Sequence, residues 1–203
     1  MKLLHRLSLA IFLSGLLMAL PAVAQDNSSQ SANPNVDNPA TPNTTASSKS
    51  SKTAATADEH FMKKAAEGGL AEVELGKLAA DKASSDDVKK FGQRMADDHS
   101  KANDELKSIA SQKGVTLPEK LNAKDQALKD RLEKLSGKQF DQVYMHNMVR
   151  DHTKDVAEFQ HEASNGKDAA VKDFAEKTLP TLKDHLNQAK QIANSGTTTA
   201  SNR

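Results

Sequence analysis

The chain has 203 residues, with 28 Lys and Arg against 27 Asp and Glu, and it contains no cysteine. Without cysteine, disulfides, thiolate metal sites and covalently attached c-type haem are excluded. Because the charges balance and the sequence has one Tyr and no Trp, it lacks the basic and stacking surface that binds nucleic acid. We therefore expect no nucleic-acid partner.

Residues 1–24 have the pattern of a secretory signal peptide. The start is basic, with Lys2 and Arg6, residues 7–20 are largely apolar, and Ala22–Ala24 form a small-x-small cleavage pattern. This apolar run is short for a membrane span, and no later segment qualifies as one. Because no cysteine follows, a lipid anchor is excluded. We expect a periplasmic or secreted protein without a transmembrane segment in the mature chain; an uncleaved N-terminal anchor is the alternative.

Two polar segments flank a single predicted domain. Residues 25–57 are mostly Ser, Thr, Asn, Ala and Pro, a composition that cannot bury a core and predicts a disordered linker. Residues 195–203 are similarly polar and predict a disordered tail. Residues 58–194 remain, which is the length of one domain.

Within this domain, apolar residues recur at spacings of three and four in four long segments, and no segment alternates like a strand. Long helices are predicted over Asp58–Ala83, from Ser84-Ser85 to near Gly114, from Ser136 to about Ala163, and from Asp168 onwards, with a shorter helix over Asn122–Leu135. Ser84-Ser85 is a favourable N-terminal cap, and Ser136 with Gln139 fits a capping box. These elements predict an all-α, antiparallel four-helix bundle with the short helix in the crossover.

Each long helix carries one polar residue within its apolar stripe, near the middle of the helix. These residues are Glu72, His99, His152 and His185. Mid-helix residues of an antiparallel bundle share a level, and a polar side chain there is costly unless it is paired. Three imidazoles and a carboxylate suit Zn(II), Cu(II), Fe(II) or Mn(II). We therefore predict a divalent-metal site with these four ligands; a buried structural hydrogen-bond network is the alternative.

An aspartate precedes each of the three histidines, as Asp98, Asp151 and Asp184. Successive residues are about 100° apart around a helix, so an aspartate cannot easily share a metal with its own histidine. It can instead accept a hydrogen bond from a ring nitrogen on a neighbouring helix. Asp151, which lies nearest the core, is an alternative ligand.

Other activities find little support in the sequence. The Glu-x-x-His pattern of di-iron bundles is missing, since Ala96, Val149 and Leu182 stand three residues before the histidines. The sequence has neither a Gly-x-Ser-x-Gly nucleophile motif nor a Gly-rich phosphate loop. A non-enzymatic role is therefore favoured over a metal-dependent oxidase. His60, His146 and His161 fall off the stripes and are interpreted as surface residues.

Several segments together resemble one bacterial envelope family. They are Ala65–Ala79, Val88–Met95 with Asp98-His99, Phe140–Tyr144, Met148–His152, and Leu179-Pro180 with His185-Leu186. They resemble the domain of unknown function 4142, often labelled "predicted outer membrane protein" and placed with ferritin-like bundles. The resemblance implies a secreted ferritin-like domain over about Asp58 to Ile192 and implies no activity. Since the residues offer no support for an outer-membrane location, we favour the soluble periplasm.

Overall fold

The structure is a computed structural model that describes the backbone of residues 45–198 and the side chains of residues 56–195. Five helices occupy this part of the chain: α1 Thr45–Lys82, α2 Asp86–Gln112, α3 Ala123–Glu133, α4 Gly137–Asn165 and α5 Ala169–Thr198. Residues 45–198 contain no β-strand. The all-α class predicted from the sequence is confirmed, whereas the predicted signal peptide lies outside the described residues.

The four long helices form an antiparallel bundle with ferritin-like topology. α1 packs along α2 and α4 packs along α5, while α1 also contacts α4 and α2 contacts α5. Because α3 and its flanking loops carry the chain back along the bundle, α4 runs parallel to α2. α3 contacts α1 and α4, and its Lys129 pairs with Glu74 of α1 at 3.2 Å. One long crossover of this kind distinguishes ferritin-like bundles from simple up-and-down bundles.

Two carboxylates hold the turns at opposite ends of the bundle. Asp141 of α4 accepts hydrogen bonds from the backbone N–H of Ser84 and of Ser85, both at 2.9 Å, and from the Ser84 hydroxyl at 2.6 Å. Asp58 of α1 accepts from the N–H groups of Lys167 and Asp168 between α4 and α5. Both contacts satisfy N–H groups near a helix start. They fix the axial register of the helices, and therefore the levels of their buried residues.

The structure corrects two details of the predicted helix caps. Ser85 and Ser136 occupy N-cap positions, but neither side chain makes a cap hydrogen bond. Asp141 instead accepts from the N–H groups of Ser84 and Ser85 just before α2. At α4 the first residue, Gly137, is left-handed (φ 56°), and the predicted capping box is not formed. The last helix is capped by Asp168, whose Oδ1 accepts a hydrogen bond from the N–H of Ala170 at 3.0 Å.

α1 and α5 are longer than their apolar patterns indicated. α1 begins at Thr45 rather than near Asp58, and α5 continues to Thr198 beyond Asn194. Apolar periodicity marks only the packed part of a helix, whereas adding a residue to an existing helix is far easier than starting one. Within residues 45–198, none of the helices is both long and apolar enough to span a membrane.

The core is divided into two apolar halves by a buried polar layer. Core A, toward the α1–α2 turn, includes Phe91, Phe140 and Tyr144. Core B, toward the α4–α5 turn, includes Phe61, Phe159 and Phe174. Along each long helix, one buried polar residue lies between the residues of core A and those of core B. These residues are Glu72 in α1, His99 in α2, His152 in α4 and His185 in α5. The fold therefore brings these polar side chains to one level of the bundle.

Small residues bring α1 and α2 into close contact beside core A. A Cβ atom added to Gly76 would lie 2.6 Å from the backbone oxygen of Gly92, and one added to Gly92 would lie 2.7 Å from that of Gly76. The lack of a side chain at Gly76 therefore permits the close approach of the two helices. By contrast, a Cβ added to Gly68 would meet no atom within 4 Å.

Candidate metal centre

Three histidines from three helices converge in the polar layer. The ring centroids of His99, His152 and His185 lie 5.6, 5.5 and 5.4 Å apart in the three pairwise combinations. One ring nitrogen from each lies within 4.8 Å of the corresponding nitrogens of the other two. Because metal–nitrogen bonds are about 2.0–2.1 Å long, small side-chain adjustments would bring all three nitrogens onto one ion. We call these residues the histidine triad.

Hydrogen bonds fix the tautomers of two of the rings. His152 Nδ1 lies 3.1 Å from the backbone oxygen of Met148, one turn earlier on α4. His185 Nε2 lies 3.0 Å from Oδ2 of Asp98 on α2. Both oxygens accept, so these ring nitrogens carry the protons, and the other nitrogen of each neutral ring has a lone pair. Metal-binding histidines are commonly held in this way by a carbonyl or carboxylate on the far nitrogen.

Each ring also has one fully buried nitrogen without a hydrogen-bond partner among the described residues. These atoms are His99 Nε2, His152 Nε2 and His185 Nδ1. A buried polar atom without a partner is destabilising by about 1–3 kcal/mol, and three in one layer add to that cost. The layer therefore does not satisfy its own hydrogen-bonding capacity.

The electrostatic environment keeps the triad neutral. Burial, and then the neighbouring His152 and His185, hold the pKa of His99 well below its ordinary value. Burial, and then His185, lower the pKa of His152 to about 4. Burial also lowers the pKa of His185, against the raising effect of its hydrogen bond to Asp98. At neutral pH the rings are therefore unprotonated, as metal binding requires.

Glu72, the fourth ligand predicted from the sequence, lies beside His152 and is not among the three converging residues. Its Oε1 is 3.7 Å from His152 Nδ1, the nitrogen already bonded to Met148, so it faces the edge of the ring opposite the free nitrogen. Burial, and then the charges of Asp155, Asp151 and Asp125, raise its pKa well above the ordinary value. This environment favours a protonated, neutral carboxyl group.

The three aspartates that precede the histidines have three different environments. Asp98 reaches across to His185 and also pairs with Arg94 at 3.3 Å. Asp184 is exposed at the surface and pairs with Arg94 of α2 at 2.7 Å. Asp151 pairs with its neighbour Arg150 at 3.1 Å. Only Asp98, of these three, contacts a triad ring among the hydrogen bonds of the described residues.

Sequence reasoning missed three polar residues just beyond the triad, on the side of core B. Asn103 follows His99 by four residues, Asp155 follows His152 by three, and Thr178 precedes His185 by seven. Helix periodicity places each of them one or two turns along the same stripe, and this was the signal available. Burial raises the pKa of Asp155 to about 7. The three histidines interpreted as surface residues, His60, His146 and His161, are exposed.

The family described as "Domain of unknown function (DUF4142)" matches residues 43–192. The crystal structure of a DUF305 fragment from Deinococcus radiodurans is similar to this chain, with a TM-score of 0.61 and 12% sequence identity. The similarity covers 68% of this chain and 96% of that one, and at this identity it concerns the fold alone. None of the curated proteins matches this chain.

Proposed function

The chain belongs to the DUF4142 family, and we propose that it binds one divalent transition-metal ion through His99, His152 and His185. The observation that carries this proposal is the set of three ring nitrogens, one per histidine, that are buried without a partner among the described side chains. A metal ion would satisfy all three together. A purely structural network would be expected to pair them with protein groups.

The chemistry of the ligands limits the choice of ion. Neutral imidazoles suit Zn(II), Cu(II), Fe(II) and Mn(II) to different degrees, whereas Mg(II) and Ca(II) prefer oxygen ligands. Three neutral rings leave the charge of a divalent ion uncompensated in the interior. The Asp98 carboxylate, bonded to the far nitrogen of His185, would offset part of that charge, and Glu72 beside His152 could offset more by losing its proton.

Calorimetric titration of the metal-free protein with each of the four ions tests the proposal. We expect one ion to bind per chain, and we expect His152→Gln to weaken binding by at least about tenfold, since it removes one of three ligands. His146→Gln is the matched control, because His146 lies on the same helix but is exposed. Absence of binding by all four ions, or equal affinities of the two variants, would refute the proposal.

We further propose that the protein acts in the periplasm, in metal or stress handling. This location is supported by the basic, apolar and small-residue pattern of residues 1–24, which is typical of a cleaved secretory signal peptide. Cell fractionation followed by N-terminal sequencing would test it. We expect a periplasmic protein that begins at Gln25, whereas cytoplasmic protein that retains Met1 would contradict it.

A further inference from the structure

A small cavity of about 20 Å³ lies next to the histidine triad on the side of core B. His99 borders it directly. Its other bordering residues come from all four long helices, one or two turns from the residue that each helix contributes to the polar layer; they include Ala65, Ala102, Asn103, Asp155 and Thr178. The cavity is thus directly adjacent to the layer.

The volume of the cavity limits the size of the molecule that it can hold. A site for one water molecule requires about 10–15 Å³ of space measured in this way. A volume of about 20 Å³ therefore accommodates one water-sized molecule. The cavity is partly apolar, with Leu106 and Phe174 in its wall, so a water molecule there needs specific polar partners.

The polar groups that border the cavity meet this requirement. A buried water makes about three hydrogen bonds, and the Asn103 carboxamide, the Asp155 carboxyl group and the Thr178 hydroxyl oxygen are available at its wall. Thr178 donates its own proton to the Phe174 carbonyl oxygen at 2.8 Å, so its oxygen can accept. An anion would instead lie beside the Asp155 carboxyl group, which favours neutral water over an anionic ligand.

We propose that this cavity holds a water molecule that is the fourth ligand of the metal ion bound by the triad. This inference rests on the proposed function, because it requires the ion. Structural zinc sites have four protein ligands, whereas sites that exchange ligands have three and an open position. Here the triad provides three ligands, and Glu72 lies at the Nδ1 side of His152. A water-sized cavity borders the triad at His99, so the site resembles those with three protein ligands and an open position.

Pulsed electron paramagnetic resonance of the Cu(II)-loaded protein in ¹⁷O-enriched water tests the proposal. Hyperfine couplings from imidazole ¹⁴N report the triad, and couplings from ¹⁷O report a water molecule bound to the ion. We expect both signals in the unmodified protein. We expect the ¹⁷O coupling to be lost in Ala102→Val and in Ala65→Val, which add two carbon atoms at the cavity wall from α2 and α1, with the ¹⁴N couplings retained.

Ala163→Val is the matched control, because Ala163 is partly buried against core B but does not border the cavity; it should retain both signals. The two cavity-filling substitutions, at Ala102 and Ala65, lie on different helices. If one variant does not fold, the other still tests the proposal. Imidazole couplings without ¹⁷O coupling in the unmodified protein, or ¹⁷O coupling that survives both filling variants, would overturn this inference and leave the metal site intact. Absence of imidazole couplings from the unmodified protein with Cu(II) bound would instead show that the triad does not hold the ion, and would count against the proposed function.

Discussion

The carboxylate of Asp98 on α2 accepts a hydrogen bond from Nε2 of His185 on α5, at 3.0 Å. This contact crosses between helices and leaves His185 Nδ1 as the free nitrogen of its ring. Burial would raise the pKa of Asp98, but hydrogen bonds from His185 and Arg94 hold it below its ordinary value. An ionised carboxylate therefore orients the ring and increases its basicity toward a metal.

Replacing this carboxylate should weaken metal binding without removing a ligand. We expect Asp98→Asn to lower metal affinity by about 10–100-fold, the usual effect of losing a group that orients a ligand. Calorimetric titration would measure the change. Asp97→Asn is the control, since Asp97 is exposed and bonds to Gln93 on its own helix; equal affinities for the two variants would contradict the role given to Asp98.

The stability of the metal-free protein should depend on the buried histidines in acid. The pKa of His152 is about 4 in the folded chain and about 6.5 in an unfolded one. Between these values the unfolded chain binds more protons, so the free energy of unfolding falls as the pH is lowered from 6.5 toward 4 and is unaffected by this group above 6.5. The loss by pH 4.5 should be roughly 2 kcal/mol.

Urea unfolding at pH 7 and pH 4.5, with a chelator present, would measure this dependence. Asp155 and Glu162, whose pKa values are raised to about 7, act with the opposite sign, so the comparison must be between variants. His152→Gln should lose less stability on acidification than the unmodified protein, whereas the exposed His146→Gln should behave like the unmodified protein. Identical pH dependence in all three proteins would argue against a buried, neutral His152.

The close approach of α1 and α2 predicts opposite effects for two glycine substitutions on α1. Gly76→Ala should destabilise the protein by about 1–3 kcal/mol, because its Cβ would meet the Gly92 backbone and force the helices apart. Gly68→Ala should be neutral or stabilising by up to about 1 kcal/mol, since it meets no atom within 4 Å and favours the helix. Thermal or urea unfolding would distinguish the two, and equal effects would contradict the packing described.

A carboxyl pair at the α4–α5 turn predicts a stabilising substitution. Burial, and then the charge of Asp58, raise the pKa of Glu162 to about 7. Ionised Glu162 therefore destabilises the folded chain above pH 7. This destabilisation decreases as the pH falls from 7 toward about 4.5, the pKa of a glutamate in the unfolded chain. Glu162→Gln should raise the free energy of unfolding by about 1 kcal/mol at pH 8 and have little effect at pH 5.

The control for this substitution is Glu176→Gln, because Glu176 is exposed on α5 and should change stability little at either pH. Urea unfolding at the two pH values provides the comparison. A Glu162→Gln variant that is no more stable at pH 8 than at pH 5, relative to the unmodified protein, would contradict the raised pKa of Glu162.

Both the fold and the histidine triad could be predicted from the sequence, because both follow from the helical periodicity of apolar residues. A histidine on an apolar stripe stands out, and the antiparallel arrangement places mid-helix residues at one level, which brings together His99, His152 and His185. Periodicity fixes which face of a helix a residue occupies. It does not show where helix packing stops and a free helix continues, so it predicts a start of α1 near Asp58, whereas the helix begins at Thr45.

The finer arrangement of the site depends on rotamers and on relative helix rotations, which local spacing does not encode. The same Asp-His sequence places its aspartate in three different contacts. Asp98 bonds to His185 across the bundle. Asp151 pairs with its neighbour Arg150, and the exposed Asp184 pairs with Arg94. Likewise, Glu72 reaches the layer but lies at the Nδ1 edge of His152. Each outcome was decided by a few ångströms of side-chain placement.

The metal content of the protein isolated from the cells that naturally produce it tests the central claim most directly. Mass-spectrometric metal analysis of the unmodified protein and of the His152→Gln variant, purified identically and without added metal, would give the comparison. We predict one divalent transition-metal ion per chain in the unmodified protein and none above background in the variant. An unmodified protein that carries no more metal than the variant would contradict the claim that the histidine triad is a metal site.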